Sequence, residues 1–358
     1  MPCGRNMGEA QGNLMFLYCR ALEENDIVYQ IQNIFSGRME RRGMFHFLWH
    51  CIKALCVLAV LLAAGAGFYI GNAAYERLIN SPWNLILGIR DESGNLQQVH
   101  AGEKRYGWEP VEVSSKDGTV LAGTYVKNPN PSHKTVILLH GLYSNRTMCL
   151  PLIPMYRRLG YNVLLIDQRG HGESGGAHTM WGMKEMDDMD AWMDWLQKRD
   201  PSVLTGLHGI SLGAAMALLY SGTDRGQSLS FVVADSSYAD LMSLAKEKVY
   251  DWSGDDRILF SMDLVNPFFQ AAMYAHTGKL LRDIEPADAV AKSAAPTLFL
   301  HGGADRLVPP EAAQILGDAS GAQRKEIRIF EGAGHAAEFS VNPKAYTEIV
   351  QNFILGRQ

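Results

Sequence analysis

Hydrophobic positions follow two regimes along this chain, and the change falls near residue 109. Before it one run dominates: from Ala54 to Ile70, "ALCVLAVLLAAGAGFYI" holds 17 residues without a charge. At about 1.5 Å per residue, a helix of that length comes close to the hydrocarbon thickness of a bilayer. "MFHFLWH" before it and "GNAA" after it extend the span. The run is apolar all round rather than along one stripe, which separates it from a helix packed in a core. Beyond residue 109 the pattern becomes short and periodic. "VEVSSKDGTVLAGTYV" is two alternating runs about Lys116-Asp117-Gly118, the signature of a hairpin. "TVILLHG", "NVLLIDQRG", "SVLTGLHG", "SFVVADS", "PTLFLHG" and "EIRIFEG" then read as buried strands separated by helix-length stretches. That rhythm predicts an α/β architecture: a mostly parallel, doubly wound sheet covered on both faces, with its chemistry at the carboxyl ends of the strands.

Charge orients the apolar run. Arg38, Arg41, Arg42 and Lys53 precede it, whereas Glu76, Arg77 and Arg90 follow, so the basic bias predicts a cytoplasmic N-terminus and the rest of the chain on the extracytoplasmic side. The small residues Ala64 to Ala66 allow a cleaved signal peptide as an alternative; the length of the run exceeds a usual signal core and favours an uncleaved single-pass anchor in the cell membrane. Met39 and Met44 stand just before this signal, and translation is expected to begin at one of them. The resulting division is a leader without evident structure (1–43), a transmembrane anchor (44–74), a juxtamembrane linker with some local helix (75–108) and a globular domain (109–358).

Composition narrows the classes. The chain has 358 residues, 47% hydrophobic and 20% charged, with a formal net charge of -5, which offers no attraction for nucleic acid. Of five cysteines only Cys149 lies in the globular part, in the apolar context "MCLPLIP", and is read as a packed thiol. No Cys/His metal pattern occurs. The acidic stretch "MKEMDDMDAWMDWLQKR" is expected to bury Met186, Met189 and Met193 and leave most of Glu185, Asp187, Asp188, Asp190 and Asp194 on solvated faces, so no metal and no cofactor are expected.

The segment "HGISLG" carries the chemistry. Gly209-Ile210-Ser211-Leu212-Gly213 is G-x-S-x-G between a strand pattern and the helix-length run "AAMALLYSG". A tight strand-to-helix turn holds such a serine in a strained conformation and lifts its hydroxyl into the open, and the Leu212 amide at the helix start is placed to donate to a developing oxyanion. A serine hydroxyl needs a base and an orienting acid. "GADRLVPP" puts Asp305 after one strand, and "AGHAAEF" puts His335 after the next, in the chain order Ser, Asp, His. Asp235 in "VVADSS" is the reserve acid. His140, His208 and His301 precede glycines or strand ends and are read as packed, and the "DQRGHGES" turn, with His171, as loop scaffolding.

The set "HGLYSNR", "GYNVLLIDQRGHGESGG", "GLHGISLGAA", "VVADSSYADL", "PTLFLHGGAD" and "GAGHAAEF" resembles the α/β-hydrolase superfamily from about Glu109 onward. It looks most like membrane-anchored bacterial hydrolases and is more distantly similar to Bem46-type hydrolases and the catalytic domain of prolyl-oligopeptidase-like peptidases. The resemblance implies an α/β-hydrolase fold, with Ser211 as nucleophile, Asp305 as acid, His335 as base and the Leu142 amide as second oxyanion donor. It also implies a small helical lid inserted at about 241–295, where Phe268, Phe269 and Met273 are candidates for an apolar acyl pocket, against plain packing as the other reading. Ile210 stands where many relatives carry a polar or larger residue. The expected function is a serine esterase acting on a small-molecule ester, lipid or peptide substrate through an acyl-serine. The alternatives are a serine peptidase on short or acylated peptides and a non-catalytic surface binding protein of the same fold.

Overall fold

The computed structural model of the protein describes Gln32 and residues 41–357, so most of the leader, Met39 included, lies outside the described residues. The chain divides into two compact units, one ending at Tyr69 and the other spanning Ile70–Gln358. In the first, helix α1 (Arg41–Asn80) carries the apolar run, and Leu55, Val57, Leu58, Val60, Leu61 and Leu62 are all exposed. From Gly43 to Asn80 this helix is long and apolar enough to cross a membrane. It runs beyond the expected limit at residue 74 because no breaker intervenes before Ser81-Pro82.

The second unit begins with the last turns of α1. Tyr75 is buried there, its ring stacked on that of His276 with centroids 4.2 Å apart. The segment expected to be a linker is instead packed. After α2 (Trp83–Ile86), α3 (Gln97–Tyr106) buries Val99 and brings Gly102 against the Trp108 ring. The Asn145 side-chain amide donates to the carbonyls of Glu92, Ser93 and Asn95, clamping the preceding loop to the domain. Sequence pattern underrated this segment because its docking depends on a polar clamp more than 50 residues away.

Eight strands form one sheet: β1 (Glu109–Ser114), β2 (Val120–Val126), β3 (Lys134–Leu139), β4 (Asn162–Ile166), β5 (Leu204–Ile210), β6 (Phe231–Asp235), β7 (Thr297–Gly302) and β8 (Lys325–Phe330), in the order β1-β2-β4-β3-β5-β6-β7-β8. β1, β2 and β4 pair antiparallel and the rest parallel. Alternation along each central strand sorts side chains to two cores. Ile137, Leu139, Leu164, Ile166 and Leu207 face one, and Val136, Leu138, Val163 and Leu165 face the other. Each fully buried side chain of this size stabilises the fold by about 1.5–3 kcal/mol relative to exposure. β8 was expected to be buried, yet it is the sheet edge, and most of its residues are exposed or half-buried.

The helices that follow are α4 (Ile153–Arg158), α5 (Glu185–Arg199), α6 (Leu212–Ser221), α7 (Leu241–Ser253), α8 (Asp256–Thr277), α9 (Pro286–Lys292), α10 (Glu311–Ala319), α11 (Glu338–Val341) and α12 (Pro343–Leu355). Residues of α5, α6 and α10 fill the first core, while Met155 and Tyr156 of α4 and Tyr346, Val350 and Phe353 of α12 fill the second. The insertion between β6 and β7 is helical, built mainly from α7, α8 and α9.

On α5, Met189 is buried as expected while Met186 and Met193 are only half-buried, and two of the five carboxylates, most of which were expected on solvated faces, are buried as well. Glu185 accepts from the Met180 and Gly182 amides at 2.6 and 2.8 Å, and Asp188 receives two donors of the Arg169 guanidinium at 2.5 and 2.8 Å. Their partners lie outside the helix, so helical periodicity alone misplaced them.

Candidate active site

The carboxyl ends of β3, β5, β7 and β8 converge on Ser211. Its backbone has φ 55° and ψ −116°, a conformation costing about 1–3 kcal/mol for a residue with a side chain. Two contacts enforce it. The Ser211 N–H donates to the Asp235 carbonyl at the end of β6 at 2.7 Å, and its own carbonyl accepts from Ala215 inside α6 at 3.1 Å. The flanking glycines permit the close crossing of strand and helix. A Cβ on Gly209 would stand 2.1 Å from the Gly213 carbonyl oxygen, and one on Gly213 would stand 2.4 Å from that of Leu139.

His335, in the loop after β8, places Nε2 at 2.7 Å from Ser211 Oγ and Nδ1 at 2.7 Å from Asp305 Oδ2. Asp305 is buried, and its other oxygen accepts from the Leu307 and Val308 amides at 2.9 and 3.0 Å. Burial pushes its carboxyl up, but hydrogen bonds from His301 and His335 outweigh that, and the group is held well below the usual carboxylate range. An ionised carboxylate only accepts, so the proton of a neutral His335 sits on Nδ1 and Nε2 is left to accept from the serine hydroxyl.

The turn after β3 approaches the same point. A Cβ on Gly141 would stand 3.4 Å from Ser211 Cβ. Among the described residues neither the Leu142 nor the Leu212 amide donates to a protein acceptor. His140 holds this turn: its buried Nδ1 donates to the Gly141 carbonyl at 2.7 Å, and Nε2 accepts from the Gln168 N–H at 3.0 Å. Both nitrogens are committed to the neutral ring, and burial, reinforced by the neighbouring His171, lowers its pKa to about 3.

Asp235, the reserve acid, is not beside His335 through its carboxylate. Its Oδ2 accepts from Tyr346 Oη at 2.7 Å in a buried chain that continues through His208 to Tyr156. Two residues not singled out from the sequence also belong to the site. Ser236 Oγ accepts from the Ala336 N–H at 3.1 Å, next to His335, and donates to buried Glu338 at 2.7 Å. Ser236 was visible only as the second half of "DSS", and Glu338 only as the polar residue of "HAAEF". Of the pocket candidates, Phe269 and Met273 are buried in the core that also contains Leu212 and Tyr238, and Phe268 is half-buried with its carbonyl against Gly71. Cys149 is a free, buried thiol whose pKa burial pushes up, which keeps it protonated and inert. Among the described residues no three His, Cys, Asp or Glu side chains are grouped to hold a metal.

A sheet of this order, with a strained serine at the β5–α6 turn, defines an α/β hydrolase. Residues 136–349 match the alpha/beta hydrolase family, and the chain belongs to it. It is similar to the uncharacterized protein YqkD of Bacillus subtilis (strain 168), at 29% identity over 74% of this chain and 85% of that one. It is also similar to the lysophosphatidylserine lipase ABHD12 of Danio rerio, at 28% identity over 64% of this chain and 55% of that protein. Among solved structures, the esterase Pf2001 of Pyrococcus furiosus superposes with a TM-score of 0.57 at 27% identity, covering 71% of this chain and 95% of that one.

Proposed function

We propose that this hydrolase cleaves carboxylic esters through an acyl-serine intermediate. The observation that carries the reading is the continuous chain from Asp305 through His335 to Ser211, with 2.7 Å at each link. Ser211 Oγ attacks the ester carbonyl carbon while its proton passes to His335 Nε2. Charge on the carbonyl oxygen is taken up by the Leu142 and Leu212 amides. The tetrahedral adduct collapses with cleavage of the C–O bond, and the departing alkoxide takes the proton from His335. Water then repeats the sequence and releases the acid. Asp305, ionised throughout, holds the imidazole in the required tautomer and stabilises the imidazolium. Similarity to the Pf2001 esterase supports ester over peptide substrates.

The same reading includes a membrane anchor. Helix α1 supports it by length and by apolar side chains exposed on all sides, and the basic residues before the span support a cytoplasmic N-terminus with the hydrolase domain outside. The test of the chemistry is covalent labelling of the full chain by a fluorophosphonate, followed by turnover of p-nitrophenyl esters of graded chain length and of aminoacyl amides. Labelling at Ser211 with ester turnover is expected. Labelling elsewhere ends the assignment of the nucleophile, and turnover of the amides alone favours a peptidase.

A further inference from the structure

The helical insertion spends one face on the domain and leaves another without a partner. On α8, Ala272 and Met273 are buried, whereas Phe260 is 70% and Leu264 65% exposed. At intervals of four and three residues, Phe260, Leu264 and Pro267 lie on one stripe of the helix. The end of α7 adds Trp252, 85% exposed. An exposed aromatic–aliphatic stripe of this kind marks an interaction surface.

Contacts on either side of the insertion bear on what covers it. α8 packs against the residues that directly follow the apolar run: a Cβ on Gly71 would stand 2.3 Å from the Phe268 carbonyl oxygen, Asn72 Oδ1 lies 2.6 Å from His276 Nε2, and Tyr75 stacks on His276. Chain connectivity thus ties this helix to the point where the anchor leaves the bilayer, and Leu264 and Phe260 continue α8 one and two turns from Phe268. On its other side the insertion meets the catalytic rim, where Lys248 Nζ donates to the carbonyl of Arg306, the residue after Asp305, at 3.0 Å. The basic residues near the stripe are each paired with a carboxylate: Lys246 with Asp263, Lys248 with Asp251, Arg257 with Asp255, and exposed Asp256 adds a negative charge. They offer no excess positive charge to an anionic surface, so the matching partner is a zwitterionic bilayer.

We infer that the stripe of Phe260 and Leu264, with Trp252, rests in the headgroup region of the membrane that α1 anchors, and that the hydrolase takes its ester substrate from the lipid phase across this insertion. The inference rests on the anchored, serine-hydrolase reading above and narrows its substrate class to bilayer-resident esters.

The experiment uses the full chain reconstituted in phosphatidylcholine vesicles. Trp252 emission is isolated as the difference between the native protein and its Trp252→Phe variant, in vesicles with and without bromine-labelled acyl chains. About a twofold loss of that emission in brominated vesicles, with little quenching by aqueous iodide, is expected of an aromatic side chain at the interface. The double variant Phe260→Ser with Leu264→Ser is expected to keep its turnover of a soluble p-nitrophenyl ester and to lose about tenfold in turnover of an ester lipid held in the vesicle. Both substitutions are at exposed positions, so the soluble ester also reports that the domain is folded.

Iodide quenching without bromolipid quenching, or equal turnover of both substrates by the double variant relative to the native protein, overturns the inference while leaving the anchor and the chemistry standing. A chain that alkaline carbonate strips from the vesicles overturns both the anchor and this inference. Absence of fluorophosphonate labelling ends the serine chemistry and with it the claim on substrate, and Trp252 quenching then decides the bilayer contact alone.

Discussion

Ser236 Oγ donates to Glu338 Oε1 at 2.7 Å across 102 residues of chain and accepts the Ala336 N–H, so one hydroxyl ties the end of β6 to the loop that carries His335. Ala336 has φ 54° and Ser236 φ 57°, so both ends of the tie are held in backbone conformations unfavourable to residues with side chains. Ser236→Ala removes the tie without touching the reacting groups. It is expected to lower kcat by about tenfold with KM nearly unchanged, as misplacement of a catalytic group does. Steady-state kinetics on a p-nitrophenyl ester check it, and an unchanged kcat would show that the histidine loop is fixed by other means.

The two candidate acids are separable by substitution. Asp305→Asn replaces an ionised acceptor of the His335 Nδ1 proton and is expected to lower kcat by about 10^4-fold with the fold retained; Ser211→Ala is expected to cost about 10^4- to 10^6-fold. Asp235→Asn is expected to stay within about threefold of native turnover, because that side chain bonds Tyr346 rather than His335. Kinetics of the three purified variants decide it, and a severe loss in the Asp235 variant would transfer the acid role.

Asp235 also makes a prediction about alkaline stability. Burial and the neighbouring Glu338 drive its carboxyl well above the usual range, and among the described residues Asp235 Oδ1 and Glu338 Oε2 are both buried without a hydrogen-bond partner. The folded state therefore keeps a proton that the unfolded chain gives up above a pH of about 4, and this one group's contribution to stability declines as pH rises from there toward the raised folded value. Asp235→Asn supplies an N–H toward Glu338 and removes this dependence. Its Tm is expected to equal or exceed that of the native protein at pH 8, with the advantage shrinking toward pH 5. A large loss of Tm at pH 8 would refute the raised Asp235 carboxyl.

The acid side is governed by buried histidines. His208 lies between Tyr156 and Tyr346, and burial lowers its pKa to about 3, as in His140. A histidine depressed in the folded state contributes stability in full above its unfolded value near pH 6.5 and loses it as pH falls toward the folded value, at up to about 1.4 kcal/mol per pH unit for each ring. Thermal unfolding is expected to show Tm falling between pH 6.5 and 4, before the ordinary carboxylate range. A flat Tm over that interval contradicts the assignment of two neutral, buried rings.

Topology gives a further prediction. If the basic flank before the apolar run is cytoplasmic, protease added outside intact cells, or outside spheroplasts where an outer membrane exists, is expected to degrade the hydrolase domain and spare the segment before the span. Protection of the domain until the cells are lysed would reverse the orientation.

What the sequence determined by itself is what local physics encodes. Alternation of apolar positions specified the β1–β2 hairpin, and short continuous apolar runs specified β3 to β7, because a strand covered on both faces buries every side chain whichever face it points to. An uncharged run of 17 residues specified a helix long and apolar enough to cross a membrane. The triad candidates were legible because each follows a strand pattern, and parallel strands deliver their carboxyl ends to one edge of a sheet. Tertiary structure alone decided what depends on partners distant in the chain. The burial of Glu185 and Asp188 rests on donors outside their helix, and the place of Ser236 and Glu338 rests on a contact closed over 102 residues. The exposed edge of β8 follows from strand order, and the docking of Tyr75 on His276 turns an expected linker into part of the domain. Hydrophobic periodicity reports which way a side chain points along its own element, whereas these features depend on which other element arrives opposite it, and only the folded chain brings the two together.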